Sequence, residues 1–491
     1  MKSYCTDSPE WTTVLDVDEL AKKDDISWVW NGPRPLQRAR DPMSENGKRT
    51  TRALLHLSRG GSDATHVKEF DLLTGDFVTE NPFILPEAKT RASYKSRDVL
   101  LVGTDFGPDS LTDSGYPRTV REWVRGTDVN DAPVIFEGDK KDVSVSVHFD
   151  DQRENNGGIY EVRSRSLTFY TSKYWARKVH YEHLLAPDDP ARNGVAEPDD
   201  LIEIDVQEDA EIDFVGNLII ISLRSDWEPA PGQKFKQGSL IYTDAETFMK
   251  KGKEACEFKI LFEPTSRTAY ETYTLTQNYF ILSIMDNVKS KLKFYKLGDE
   301  GNSLTLVGGD KEAVIRSCGV GPLDSVESDK FWFTTSGFTQ PSTLCLADAS
   351  RIESDNSDDS PEVYVETELK SLPDQYDSSD VEVSQRTAIS KDGTTIPYFL
   401  ISKRDTVLDG STPTLLYGYG GFEVSLGPHY IATAGLAWLE RGGAYVEANI
   451  RGGGEFGPSW HQVRCGCTFL EIQKRNQSYK HFICSVINRL L

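Results

Sequence analysis

The chain has 491 residues, 38% of them hydrophobic and 27% charged, with a formal net charge of -22. That length exceeds one ordinary core and implies two or more domains, and that composition excludes wholesale disorder. The acidic balance disfavours nucleic acid and anionic membrane surfaces as partners.

Taken in chain order, residues 1–10 (Met1-Lys-Ser-Tyr-Cys-Thr-Asp-Ser-Pro-Glu10) carry no apolar segment of a secretory signal. No later run reaches the roughly 18–20 apolar residues of a membrane span. A cytosolic location is the expectation. The seven cysteines, Cys5, Cys256, Cys318, Cys345, Cys465, Cys467 and Cys484, are odd in number and scattered, which reads as reduced thiols. Cys465-Gly-Cys467 lacks a second pair, so no metal is expected there, and no cofactor is expected anywhere.

Up to about residue 380 the pattern is short strands between turns. Residues 67–78 alternate apolar and polar around a Thr-Gly-Asp turn, and 201–206 alternate more cleanly. Further strands are predicted at 215–223, 258–262, 279–284, 292–297 and 331–335, rich in Val, Ile, Phe and Tyr. Residues 250–257 read as a short helix or a charged loop. So many short strands fit a β-propeller, and at ~40–50 residues per blade about 350 residues make roughly seven blades. The acid- and serine-rich run 354–362 reads as a solvated excursion, since it lacks the ligand spacing of a calcium loop.

After residue 380 the pattern changes to an α/β layer. Residues 381–389 and 395–402 flank Lys391-Asp392-Gly393, a hairpin with an Asp-Gly turn. A short buried strand is predicted at 413–417, a helix at 433–441 closed by Gly442-Gly443, and a strand at 444–450. At the end Tyr479, Phe482, Ile483, Val486, Ile487 and Leu490 make one apolar helical stripe.

Two glycine-rich segments carry chemistry. Tyr417-Gly-Tyr-Gly-Gly-Phe422 ends a strand, where the backbone can approach a ligand closely. In hydrolases of the α/β type the loop after the third strand supplies part of an oxyanion hole. On spacing alone this competes with a tight turn holding two buried tyrosines, with Phe422 as core. Ile450-Arg-Gly-Gly-Gly-Glu-Phe-Gly457 satisfies G-x-G-x-x-G, but Pro458 disturbs the helix start and no acidic residue closes a following strand, which argues against a dinucleotide site. His180-Tyr-Glu-His183 does not have the spacing of a zinc helix.

Together, 416–422, Trp438-Leu-Glu-Arg-Gly-Gly443, 448–457 and Trp460-His461 resemble the start of the peptidase domain of the prolyl oligopeptidase family. Pro86-Glu-Ala-Lys89, Gly103-Thr-Asp-Phe-Gly107, Ser114-Gly-Tyr-Pro117 and Ser222-Leu-Arg-Ser-Asp-Trp227 resemble the propeller of one branch of it, and 11–17 an early propeller strand. The resemblance implies a mainly β chain, with a seven-bladed propeller at 1–380 and the first part of an α/β-hydrolase domain at 381–491. It also implies a serine peptidase that cleaves short peptides after proline. By position, Tyr419 resembles the tyrosine whose hydroxyl donates to the oxyanion, and Phe422 the aromatic wall of the proline pocket. Arg451, Glu455 and Trp460 match the motif and are assigned to structure.

The chain departs from the family in lacking a G-x-S-x-G elbow: neither Gly60-Gly-Ser62-Asp-Ala64 nor Gly457-Pro-Ser459-Trp-His461 fits. The family's N-terminal helical segment is also not apparent, and 463–469 interrupts the resemblance. The expectation is a chain truncated at both ends, inactive alone and monomeric if folded, without catalytic Ser, Asp or His. The alternative is a non-catalytic propeller that binds a peptide or protein.

Overall fold

The computed structural model describes residues 12–44, 49–180, 201–310, 312–354 and 364–462. The predicted tail helix, Cys465-Gly-Cys467, the acidic run and His183 lie outside them. By packing the chain divides into one unit of 1–220 with 243–257, and a second of 221–242 with 258–491.

The fold is mainly β. The first unit opens on a helix, Val17–Asp24, and residues 12–16 just before it, part of the 11–17 segment read as an early strand, form no strand. Asp16 starts the helix, because its carboxylate accepts from the N–H groups of Asp18 and Glu19, which satisfies the first turn. Antiparallel sheets follow in chain order. The first pairs Trp28–Pro35, Arg52–Arg59, Thr65–Asp71 and Asp76–Phe77, with Ile84–Ala88 also on Thr65–Asp71. The second pairs Arg91–Ser96, Val99–Gly103, Thr119–Val124 and Val134–Glu137. The third pairs Ser144–Asp151, Ile159–Ser166, Ser172–Val179 and Ile202–Glu203, the last much shorter than the expected 201–206. In this unit the first strands of the second and third sheets lie against one another, and that of the first lies against that of the second. Leu36, Leu54, Val67, Phe83, Tyr94, Leu100 and Trp123 form a core there.

A fourth sheet has the order Glu211–Val215, Leu218–Ser222, Leu240–Asp244, Lys259–Phe262. Of 250–257, read as a short helix or a charged loop, the first two residues end a helix, Ala245–Lys251, which Asp244 caps by accepting from the Thr247 N–H at 2.7 Å, and Lys253–Ala255 form one 3-10 turn. The second unit contains a fifth sheet, Thr268–Leu275, Tyr279–Asp286, Lys289–Leu297 and Leu304–Gly309. Its sixth is Ser317–Pro322, Lys330–Gly337, Gln340–Asp348 and Val365–Ser371. Among the described residues, six sheets of four or more strands and one two-stranded sheet, Trp227–Ala230 with Gln233–Phe235, precede Val381.

A mixed sheet follows in the second unit. Its order is Val381–Ile389, Thr395–Lys403, Ala444–Ala448, Thr414–Tyr417, and the last two are parallel. Both faces of its centre are covered: Phe399, Ile401 and Tyr445 point into one cluster, and Tyr398, Leu400 and Val446 into another. A centre buried on both faces explains its near-continuous apolar runs. The Thr414–Tyr417 strand, expected to be buried, is not: Leu415 and Tyr417 are exposed. It is the sheet's last strand and pairs on one side only among the described residues. The helix expected at 433–441 is a single turn, Ala432–Ala434, that widens into a π-helix, Gly435–Leu439. At Gly435 a Cβ would fall 2.1 Å from the Tyr376 ring, so only glycine lets the segment pack there. Gly442, at φ +85°, ends it.

Candidate active site

The parallel pairing of Thr414–Tyr417 with Ala444–Ala448 brings the two glycine segments together beyond the same ends of their strands. Their fit is close. Gly420 has φ +60°, and a Cβ on it would lie 2.6 Å from Ile450 and 2.7 Å from the Arg451 carbonyl oxygen. A Cβ on Gly454 would lie 2.3 Å from the Glu423 carbonyl oxygen. The Glu423 N–H donates to the Gly452 carbonyl at 3.2 Å, and the Val424 N–H to that of Gly421 at 3.0 Å.

On this platform both predicted site residues reach solvent. Tyr419 is 42% exposed and Phe422 68% exposed, and Tyr417 is exposed too, so the alternative of two buried tyrosines with Phe422 as core does not hold. The Tyr419 ring lies over Gly421, with Cζ 3.5 Å from where a Cβ would be. Phe422 and Glu423 both take left-handed backbone, φ 52° and 58°, a costly conformation for residues with a Cβ. An ion pair steadies it: Glu423 Oε2 lies 2.5 Å from Arg224 Nη1, and both side chains are mostly buried. The spacing of residues in the sequence gave no sign of this pair, which joins positions 199 apart.

The remaining motif residues hold the second loop in place. Arg451 Nη1 donates to Asp392 at 2.5 Å, and its guanidinium also reaches Thr394 and Ser390, which fixes the hairpin turn. The same hydrogen bond holds the Asp392 carboxyl well below the usual range. The Leu426 N–H donates to Glu455 Oε1 at 3.0 Å, Phe456 and Trp460 meet edge to face, and the buried His461 ring sits with Nδ1 2.8 Å from the Gly452 carbonyl. Arg451, Glu455 and Trp460 are thus tied into structure, as the sequence reading assigned them.

Beneath the loops lies a group that reading missed. Glu447 is fully buried in the centre of Ala444–Ala448. Its Oε2 accepts from the Tyr445 hydroxyl at 3.2 Å and lies 3.6 Å from His429 Nδ1, while Oε1 has no hydrogen-bond partner among the described residues. Burial pushes its carboxyl up to about 7, eased by His429 and Tyr445 and raised further by Glu455. The signal was available: an acid inside a five-residue run that is otherwise apolar.

Of the two serines considered as nucleophiles, Ser62 follows a turn and Ser459 lies in the short helix Pro458–Gln462. Ser62 Oγ donates to the Ala64 carbonyl, and Ser459 Oγ lies 3.5 Å from that of Phe456. Among the described residues no three His, Cys, Asp or Glu side chains are placed to hold a metal, and no helix is long and apolar enough to cross a membrane.

No protein-family model matches the chain. It is similar to an uncharacterized peptidase of Sinorhizobium fredii, 33% identical over 471 residues, which cover 94% of this chain and 58% of that protein. It is 28% identical to an uncharacterized peptidase of Rickettsia prowazekii over 94% of this chain and 59% of that one. Prolyl oligopeptidase A of Galerina marginata is 32% identical over 214 residues, 43% of this chain and 26% of that one. Among solved structures, a post-proline cleaving enzyme from Rickettsia typhi superposes with a TM-score of 0.78 at 25% identity, covering 94% of this chain and 62% of that one. Oligopeptidase B from Leishmania major shares the fold, with a TM-score of 0.65 at 15% identity over 94% of this chain and 57% of that one. The chain therefore spans 58–59% of the length of these two uncharacterized peptidases. With the paired glycine loops in place, the chain is similar over nearly all of its residues to these peptidases and, over 43% of them, to a prolyl oligopeptidase.

Proposed function

We propose that this chain serves a serine-type peptidase that cuts short peptides after proline. The carrying observation is the glycine platform after Thr414–Tyr417, which presents Tyr419 and Phe422, separated by Gly420 and Gly421, to solvent. Relatives named as peptidases and a post-proline cleaving enzyme support the substrate class. In this reading the Tyr419 hydroxyl donates to the oxyanion that forms as a scissile carbonyl is attacked. A donor of this kind is worth roughly 10²–10³ in rate. The exposed Phe422 ring gives a flat apolar wall for a pyrrolidine ring. The antiparallel sheets, whose first strands pack side by side in the first unit, are read as blades of a propeller that limits access to short chains.

No Gly-x-Ser-x-Gly occurs in the 491 residues. We place no nucleophile on them, and hydrolysis is not expected of this chain by itself. A fluorophosphonate probe tests that part: the chain should stay unlabelled, and a covalent adduct on any serine overturns it. The substrate part is tested by titrating the chain with a blocked Gly-Pro dipeptide and its Gly-Ala counterpart. The proline peptide should bind about tenfold more tightly, and Phe422→Ala should remove the difference, as expected for one aromatic contact. Equal affinities in the unaltered chain would sink the proline reading.

A further inference from the structure

A cavity of about 440 Å³ opens in the first unit, where the first strands of its three sheets come together. Its size falls in the range of small-ligand sites. Arg34 enters from Trp28–Pro35, His56 from Arg52–Arg59, Thr65 from Thr65–Asp71, Arg91 from Arg91–Ser96 and His148 from Ser144–Asp151. Asp63 is the single carboxylate on the lining.

Three observations point to an anion. Neither Arg34 nor Arg91 forms an ion pair with a carboxylate among the described residues; Arg34 Nη1 donates only to its neighbour's carbonyl, that of Pro33, at 3.2 Å. Both arginines are exposed residues of their strands, and partial enclosure lowers the Arg91 guanidinium from its ordinary value, opposed by Tyr116. The His56 ring is 6% exposed; its Nδ1 lies 3.1 Å from the Thr65 hydroxyl, and its enclosed Nε2 has no hydrogen-bond partner. Burial, reinforced by Arg34, holds that imidazole down to about 4, so it is neutral at pH 7. On a chain of net charge -22, two guanidiniums facing one cavity with one carboxylate are a local reversal of sign.

We propose that this cavity binds the carboxylate of a short peptide, with Arg34 and Arg91 gripping its oxygens. A guanidinium fork matches a carboxylate in two parallel hydrogen bonds, and because both arginines are exposed the pairing weakens as salt rises. The choice of a peptide as bearer of the carboxylate rests on the peptidase reading above, but the binding itself requires no cleavage. A peptide held here by one charged group keeps the rest of its length free.

The test is calorimetric titration of the 491-residue chain with the tripeptide Gly-Pro-Gly as free acid, as C-terminal amide, and as an amide carrying one glutamate, with inorganic phosphate as a fourth ligand. The free acid should bind at least tenfold more tightly than the amide. Recovery of affinity by the glutamate-bearing amide assigns recognition to any carboxylate, and its failure assigns it to the chain terminus; either result keeps the proposal. Arg91→Gln and Arg34→Gln should each abolish the acid preference, and Arg91→Lys, which keeps the charge, should retain part of it in a chain of unchanged melting temperature. Phe422→Ala should leave the acid preference intact, so loss of proline selectivity and loss of carboxylate binding read separately. Equal binding of acid and amide, tighter binding of phosphate than of the acid, or an acid preference that survives both glutamine substitutions overturns the proposal.

Discussion

Two buried glutamates, one in each unit, show opposite fates for the same side chain. Glu161, in the third sheet, is 3% exposed and accepts from Arg163 Nε at 2.8 Å and Arg177 Nε at 2.7 Å. Burial alone would raise its carboxyl, but the two guanidiniums outweigh that and hold it below the ordinary value. Glu447, under the glycine loops, has a half-exposed histidine, a tyrosine hydroxyl and a second carboxylate nearby, and its carboxyl rises. Burial sets the cost of the charge in both places, and the local supply of cations decides which protonation state is retained.

The largest effect expected from breaking this contrast is at Glu161. Glu161→Gln leaves two buried guanidiniums without their carboxylate and should cost about 3–5 kcal/mol, read as a fall in the urea midpoint at pH 7. A depressed carboxyl stabilises above its unfolded value and loses that contribution as pH falls through the folded one. The variant and the unaltered chain should therefore converge in acid. A midpoint at pH 7 that hardly moves would mean the triad contributes nothing net.

Glu447→Gln should act in the reverse sense. A raised carboxyl favours the folded state fully below the unfolded value of 4.5, and this contribution is lost as pH rises through about 7. The two proteins should match near pH 4.5, and the glutamine variant should gain on the order of 2–3 kcal/mol by pH 8. Melting curves from pH 4.5 to 8 check this, and parallel profiles would refute it. The smallest effect belongs to the exposed ion pair that ties the hairpin turn. Asp392→Asn should cost less than about 1 kcal/mol, and less still in 1 M salt, because solvent screens a pair this open. A larger loss by the same melts would show that the turn depends on the charge.

What the sequence disclosed divides along physical lines. Local chemistry was legible: the Asp-Gly turn marked the hairpin, and glycines at a strand end marked the loop that carries Tyr419 and Phe422. The family resemblance found at 416–461 extends over nearly the whole chain. Features made by distant residues were not legible. The Arg224–Glu423 pair joins segments far apart in sequence, and the Arg34, Arg91 and His148 cavity draws on three separate sheets. No spacing rule connects such positions. Periodicity likewise foresaw a helical segment before Gly442 but not its π form, because Tyr376, which shapes it, comes from outside the segment.

The meshing of the two glycine segments has a practical side. Where Gly454 would carry its first side-chain carbon, the backbone oxygen of Glu423 already sits, and Ile450 fills the same place beside Gly420. The segments are one mechanical part cut from two stretches of gene. A mutant library that randomises 418–424 to retune what the loop accepts must leave 450–455 untouched, or vary both in concert.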